Sequence, residues 1–217
     1  MISRTPVALM ATAALAFGAA ACGDDEKTPA PGASAGPKPA AEVMNLTGKM
    51  TEVTLDAGFV EALTSLKVTP GPVGDATISS AGVASFPVTG GNVKYFTPGT
   101  VSPFVQGILN HDGSGLSLEA GGKEVELENF DVDPGKSVLT GDVSVDGTEA
   151  APDAPLFFLD GRTLNPLQAN DDDTAVLEGT TVKLKQEAAD LLNKTFGIKA
   201  LKAGLVIGVA KITINTK

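Results

Sequence analysis

The sequence predicts a mainly β fold, an antiparallel β-sandwich or partly closed barrel carrying two short α-helices. Two observations lead there. Short runs alternate apolar with polar residues and are separated by glycine-, proline- and aspartate-rich turns, the pattern of strands with one buried face. Two segments break that alternation for a helical period.

Thr51–Leu55 reads as a strand leading into the first helix, Ala57–Leu66, where Phe59, Ala62, Leu63 and Leu66 share one face and Asp56 stands at the N-cap position. Strands are expected at Val83–Val88, Val93–Phe96 and Phe104–Leu109. Leu116–Phe130 reads as a hairpin: Leu116 and Leu118 alternate with polar residues, Gly121-Gly122 make the turn, and Val125 and Leu127 resume the alternation. The apolar parity then moves to Phe130 and Val132, which a β-bulge at Asn129-Phe130 would produce. Asp133-Pro134-Gly135 turns the chain, and Leu139, Val143 and Val145 mark the next strand. Leu156–Leu159 and Leu205–Ile214 are further strands. Between them Gln186–Phe196 forms the second helix, with Gly197 as its C-cap. Thr180–Leu184 precedes this helix much as Thr51–Leu55 precedes the first. The match, extended to Val73–Ile78 and Ile207–Ile212, reads as a possible internal repeat.

Ahead of this domain the chain carries an address. Arg4 is followed by an apolar run from Val7 to Ala21, ending in Gly18-Ala19-Ala20-Ala21 before the single cysteine, Cys22. A charged start, an apolar stretch too short for a stable span and a small-residue junction form a signal peptide, residues 1–21. A cysteine at the first mature position resembles bacterial lipoproteins, so Cys22 is the expected lipidation site. Acyl chains, palmitate among them, would hold the protein on a bacterial membrane from the extracytoplasmic side. Residues 22–41, rich in proline, alanine, glycine and charge, read as a tether. Residues 42–217 form one domain, at roughly 175 residues large enough for a real core.

Composition narrows the function classes. Formal net charge is −10, and loss of Arg4 with the signal makes the mature chain one unit more negative. Such a chain repels phosphate backbones, which argues against a nucleic-acid partner. There is no tryptophan, one tyrosine (Tyr95) and one histidine (His111). A Ser–His–Asp site would need His111, and no serine lies in a nucleophile-elbow pattern. Zinc would want several His or Cys ligands. Asp131, Asp133 and Asp171–Asp173 offer oxygen donors for calcium, but Pro134-Gly135 suits a hairpin turn better, and solvated acidic loops are the favoured reading, as for Asp24, Asp25 and Glu26. His111, within Asn110–Gly115, is expected in a loop or at a strand edge, where Tyr95 could approach it. A tyrosine–histidine pair can serve haem iron, and a turn histidine beside a rim tyrosine is the plainer alternative.

From about Gly107 onward the layout resembles the HtaA family, the haem-transport-associated domains of bacterial surface proteins. The resemblance runs through His111–Leu118, Val125–Val132, Leu139-Thr140-Gly141-Asp142-Val143 and Pro155–Asp160, then Glu187-Ala188-Ala189 and Ala203-Gly204. It implies a two-sheet β-sandwich with short helices, displayed at the cell surface, that binds haem, with His111 matching the family's loop histidine. The family's iron ligand is a tyrosine in a tryptophan-glycine helix motif. Lys49–Leu66 contains neither tryptophan nor tyrosine, and Tyr95 does not occupy that motif.

Together these features predict a lipid-anchored, surface-displayed, non-enzymatic binding or interaction module for a small molecule or surface protein. Haem capture through Tyr95 and His111 is one alternative, and a carboxylate-based carbohydrate-active enzyme is the other. No cofactor is required by the sequence, and haem is the candidate.

Overall fold

The computed structural model describes residues 36–217. The signal segment, Cys22 and the tether up to residue 35 lie outside the described residues. The chain forms β1 (Ala41–Val43), β2 (Lys49–Leu55), α1 (Ala57–Leu66), β3 (Thr69–Gly74), β4 (Thr77–Ile78), β5 (Val83–Pro87), β6 (Gly90–Tyr95), β7 (Val105–Ala120) and β8 (Lys123–Asp133). These are followed by β9 (Val138–Val145), β10 (Thr148–Asp160), a 3₁₀ turn at Gly161–Thr163, β11 (Gln168–Ala169), β12 (Thr174–Leu184), α2 (Gln186–Phe196) and β13 (Val206–Asn215).

The fold class is the expected one, in its curled, partly closed form. All thirteen strands join one antiparallel sheet in the order β1-β6-β7-β8-β9-β10-β12-β13-β2-β5-β4, with β11 added to β12 and β3 to β7. Two short links bend the ends of this path toward each other. β5 pairs with β2 and runs through Val88-Thr89 into β6, which pairs with β7. β3 pairs with β7 along Ser114–Glu119, and one turn later β4 pairs with β5. The alternating apolar residues therefore point into a common interior, where Phe86 of β5 meets Phe130 of β8 edge to face at 5.4 Å.

Both helices occupy the spans that the sequence predicts. Asp56 caps α1, its carboxylate accepting from the backbone N–H of Gly58 at 2.9 Å and of Phe59 at 3.2 Å. Gly197 ends α2 in the left-handed region at φ 68°. Phe59 and Leu63 of α1, and Ala188, Ala189 and Leu192 of α2, are buried against the sheet. No helix among the described residues is long and apolar enough to cross a membrane.

The internal repeat is only partly present. β2–α1 and β12–α2 do flank β13 on its two sides. Their third elements differ: Ile207–Ile212 lies within one long strand, whereas Val73–Ile78 is divided by a turn between β3 and β4. The local residue match carried no information about where each strand pairs.

The expected hairpin forms through Gly121 and Gly122, at φ 61° and 76°, the conformation a two-residue turn requires. The expected bulge is also present. The β7–β8 register slips between His111 and Gly115 opposite Asn129, whose φ is 52°. Asn129 fastens it, accepting from the Gly113 N–H at 2.9 Å and donating to Asp142 at 2.9 Å. Glycine is needed on the next strand: a Cβ at Gly141 would stand 2.7 Å from the Glu128 carbonyl oxygen and 2.8 Å from the Phe130 ring.

Candidate functional site

The concave face of the curled sheet encloses a cavity of about 550 Å³. Its walls are apolar: Val53 of β2, Phe86 of β5, Leu109 of β7, Val132 of β8, Leu159 of β10 and Ile212 of β13 all line it. Val53, Leu116, Leu139, Leu177 and Ile212 face this space and stay only half-buried. Protein interiors normally pack to crystal-like density, so inward-facing side chains with free surface mark volume the fold leaves unfilled. The size lies within the ~300–1,000 Å³ range of small-molecule sites.

Strand register places three connections at one end of the cavity. Phe104 and Pro103 precede β7, Pro134 and Ser137 turn from β8 to β9, and Gly161, Arg162, Leu164 and Leu167 follow β10; all contribute to the lining. They form its rim.

His111 is not in a loop. β7 runs unbroken from Val105 to Ala120, and the stretch read as a turn is the bulge within it. The ladder to β8 continues on both sides of the bulge, and the shift lets apolar parity change from Leu109 and His111 to Leu116 and Leu118. His111 is therefore driven inward and is 1 % exposed. Its Nδ1 lies 3.1 Å from the Phe130 carbonyl oxygen and its Nε2 lies 2.8 Å from Thr51 Oγ1. A carbonyl oxygen can only accept, so Nδ1 carries the proton and Nε2 accepts from the Thr51 hydroxyl. Burial pushes the imidazole pKa below its ordinary value, against the opposing pull of the Phe130 carbonyl and of Asp131 and Asp112. The ring is a neutral clamp between β2, β7 and β8, with both nitrogens engaged.

Tyr95 lines the same cavity from the end of β6, half-buried, its ring edge-on to Phe104 at 5.8 Å. It does not meet His111. Tyr95 pairs with Val105, so Gln106 to Asn110 separate the two along β7, roughly 20 Å of strand at ~3.3 Å per residue. The cavity brings the two candidate residues into one chamber and holds them at different depths.

A third polar group was missed from the sequence. Asp160, at the end of β10, is buried and binds two cations. Arg162 Nε and Nη2 donate to it at 2.8 and 2.6 Å, and Lys183 Nζ at 2.8 Å. These two partners hold its carboxyl well below the usual carboxylate range. The available signal was Arg162, the only arginine after Arg4, in the turn that follows an apolar strand.

The acidic turns are held by their own neighbourhoods. Asp133 caps its turn, accepting from the Lys136 N–H at 2.9 Å and pairing with the Lys136 ammonium at 2.9 Å. Asp131 accepts from Asn110 at 2.6 Å. Asp171–Asp173 form an exposed turn between β11 and β12, with Asp172 taking the Thr174 hydroxyl and Asp173 pairing with Lys217 at 2.6 Å. Of the carboxylates lining the cavity, Glu42 is tied to Lys94 at 2.8 Å and Asp160 to its two cations. Neither is placed as the free acid or base that glycoside hydrolysis needs.

No protein-family model matches this chain, and no curated protein is a significant match. Solved structures do resemble it. The C-terminal domain of HtaA from Corynebacterium glutamicum superposes with a TM-score of 0.55 at 14% identity, over 80% of this chain and 99% of that one. The heme binding protein HtaB from the same organism superposes with a TM-score of 0.48 at 9% identity, over 82% of this chain and 96% of that one. The first superposition shows that the domain has the HtaA-like fold.

Proposed function

We propose that this protein is a membrane-anchored lipoprotein whose HtaA-like domain binds an apolar small molecule inside the curled sheet, without catalysis. The observation that carries the reading is the cavity of about 550 Å³, with apolar walls drawn from strands all around the sheet and a rim of three loops. A fold that could have filled this space with larger side chains leaves it open. Cys22, directly after Ala21, supports the anchor.

The test uses a neutral fluorescent probe, N-phenyl-1-naphthylamine. It should brighten on mixing with residues 36–217 and saturate at one site. Val53→Phe, which grows a half-buried side chain into the cavity, should weaken binding at least tenfold while keeping the fold. No saturable binding by the wild type would end this reading. For the anchor, growth with labelled palmitate should mark the full-length protein and leave Cys22→Ser unmarked.

Haem is the second reading, favoured by a tyrosine hydroxyl on the cavity wall at Tyr95. His111 would join it only by giving up the Thr51 hydrogen bond. Hemin titration should then give a shifted Soret band that Tyr95→Phe weakens. A free-hemin spectrum from the wild type rejects this version.

A further inference from the structure

The charges around the cavity are unevenly balanced. Among the described residues three charged side chains line it, Glu42, Asp160 and Arg162. Glu42 is neutralised one to one by Lys94 at 2.8 Å. Asp160 is different, because one carboxylate serves both Arg162 and Lys183. Among the described residues the other ion pairs match one cation to one anion, as Lys136 does with Asp133, Lys211 with Glu52 and Lys217 with Asp173. The rim near Asp160 thus carries one uncancelled positive charge in a chain whose formal net charge is −10.

That charge is presented in a usable form. Asp160 is buried and holds the Nε and Nη2 edge of the guanidinium, while the Arg162 side chain is 83 % exposed. The remaining N–H donors face outward, and a guanidinium fork held on one edge is pre-organised for a second carboxylate on the other. Lys183 is 24 % exposed and reaches the same carboxylate from the outer face of the sheet. Phe158, paired with Lys183 in the ladder, shares its sheet face, the one opposite Leu159 and Val182 of the cavity wall, and leaves 45 % of its surface in solvent at the rim. The apolar chamber is therefore bordered at its rim by a fixed cation, Arg162.

We infer that the cavity takes a carboxylate-bearing amphiphile of the fatty-acid class, its chain inside the sheet and its headgroup on Arg162 at the rim. This rests on the apolar-binding reading above and adds the class of ligand. Asp160 is the positioning residue: it aims the guanidinium while neutralising only one of its two cations.

The experiment compares cis-parinaric acid with its methyl ester, two probes with the same fluorescent chain and different headgroup charge, on residues 36–217. The acid should bind about tenfold tighter, the gain expected of one charge-assisted hydrogen-bonded pair. Arg162→Gln should abolish that preference with ester affinity unchanged, and Lys183→Gln, which leaves Asp160 to cancel Arg162 in full, should shrink it. Arg162→Lys should retain most of it. Lys211→Gln, which removes a cation on the outer face, should leave it intact. Circular dichroism and melting of each variant exclude misfolding as the cause. Equal binding of acid and ester by the wild type overturns the inference while leaving the apolar site standing. Persistence of the preference in Arg162→Gln also overturns it. Failure of both probes to bind counts against the apolar-binding reading itself.

Discussion

Replacing His111 tests how the fold closes around its cavity. The imidazole is 1 % exposed and joins three strands, with Nδ1 3.1 Å from the Phe130 carbonyl on β8 and Nε2 2.8 Å from Thr51 on β2. His111→Ala removes both hydrogen bonds and leaves two buried polar atoms without partners. Each such atom costs about 1–3 kcal/mol. Water entering from the adjacent cavity offsets part of this, so a loss of about 3 kcal/mol is expected at pH 8, read by urea denaturation. Thr51→Val leaves Nε2 without its donor and should cost about 1–2 kcal/mol, less than additively with His111→Ala.

The same site makes stability depend on pH. Burial holds the folded imidazole below its ordinary pKa, so between that depressed value and the unfolded value near ~6.5 the unfolded chain binds more protons. The histidine's contribution is complete above about pH 6.5 and declines as pH falls below it, by at most ~1.4 kcal/mol per pH unit. The stability difference between wild type and His111→Ala should therefore narrow from pH 7 to pH 5. A loss under about 1 kcal/mol at pH 8, or a difference that stays flat across this range, would refute the clamp.

Two further predictions probe local structure. Gly141→Val would force a Cβ to within 2.7 Å of the Glu128 carbonyl and 2.8 Å of the Phe130 ring; a loss of about 2–3 kcal/mol is expected in denaturant melts, with the β8–β9 pairing loosened in hydrogen exchange. Asp56→Ala removes the α1 cap and should cost about 1 kcal/mol, with Asp56→Ser recovering most of it.

Much of the architecture is legible in local chemistry. The span of α1 follows from the spacing of Phe59 and Leu63 and from Asp56. That of α2 follows from its own period and from Gly197. The parity change at Asn129-Phe130 announced the bulge, because a period-2 pattern can reverse face only through an extra residue. Other elements gave no local sign. β3, Thr-Pro-Gly-Pro-Val-Gly, has the composition of a turn, yet pairs with β7 along its whole length. Its pairing depends on a neighbour far away in sequence, and the first half of β10, Thr148–Pro155, is hidden for the same reason.

The site divides along the same line. Composition alone determined that this chain has one histidine, one tyrosine and one cysteine with which to work, and only two arginines, Arg4 and Arg162. Residue types and their near neighbours are enough for that, as they are for strand, helix and turn. Tertiary structure decided which of these groups meet. It buried His111 against Thr51 from a strand far earlier in the chain, set Tyr95 at another depth of the same cavity, and gave Asp160 two cations. Those outcomes depend on how the sheet curls and on its register. Both are set by long-range pairing between strands, which a linear pattern does not record.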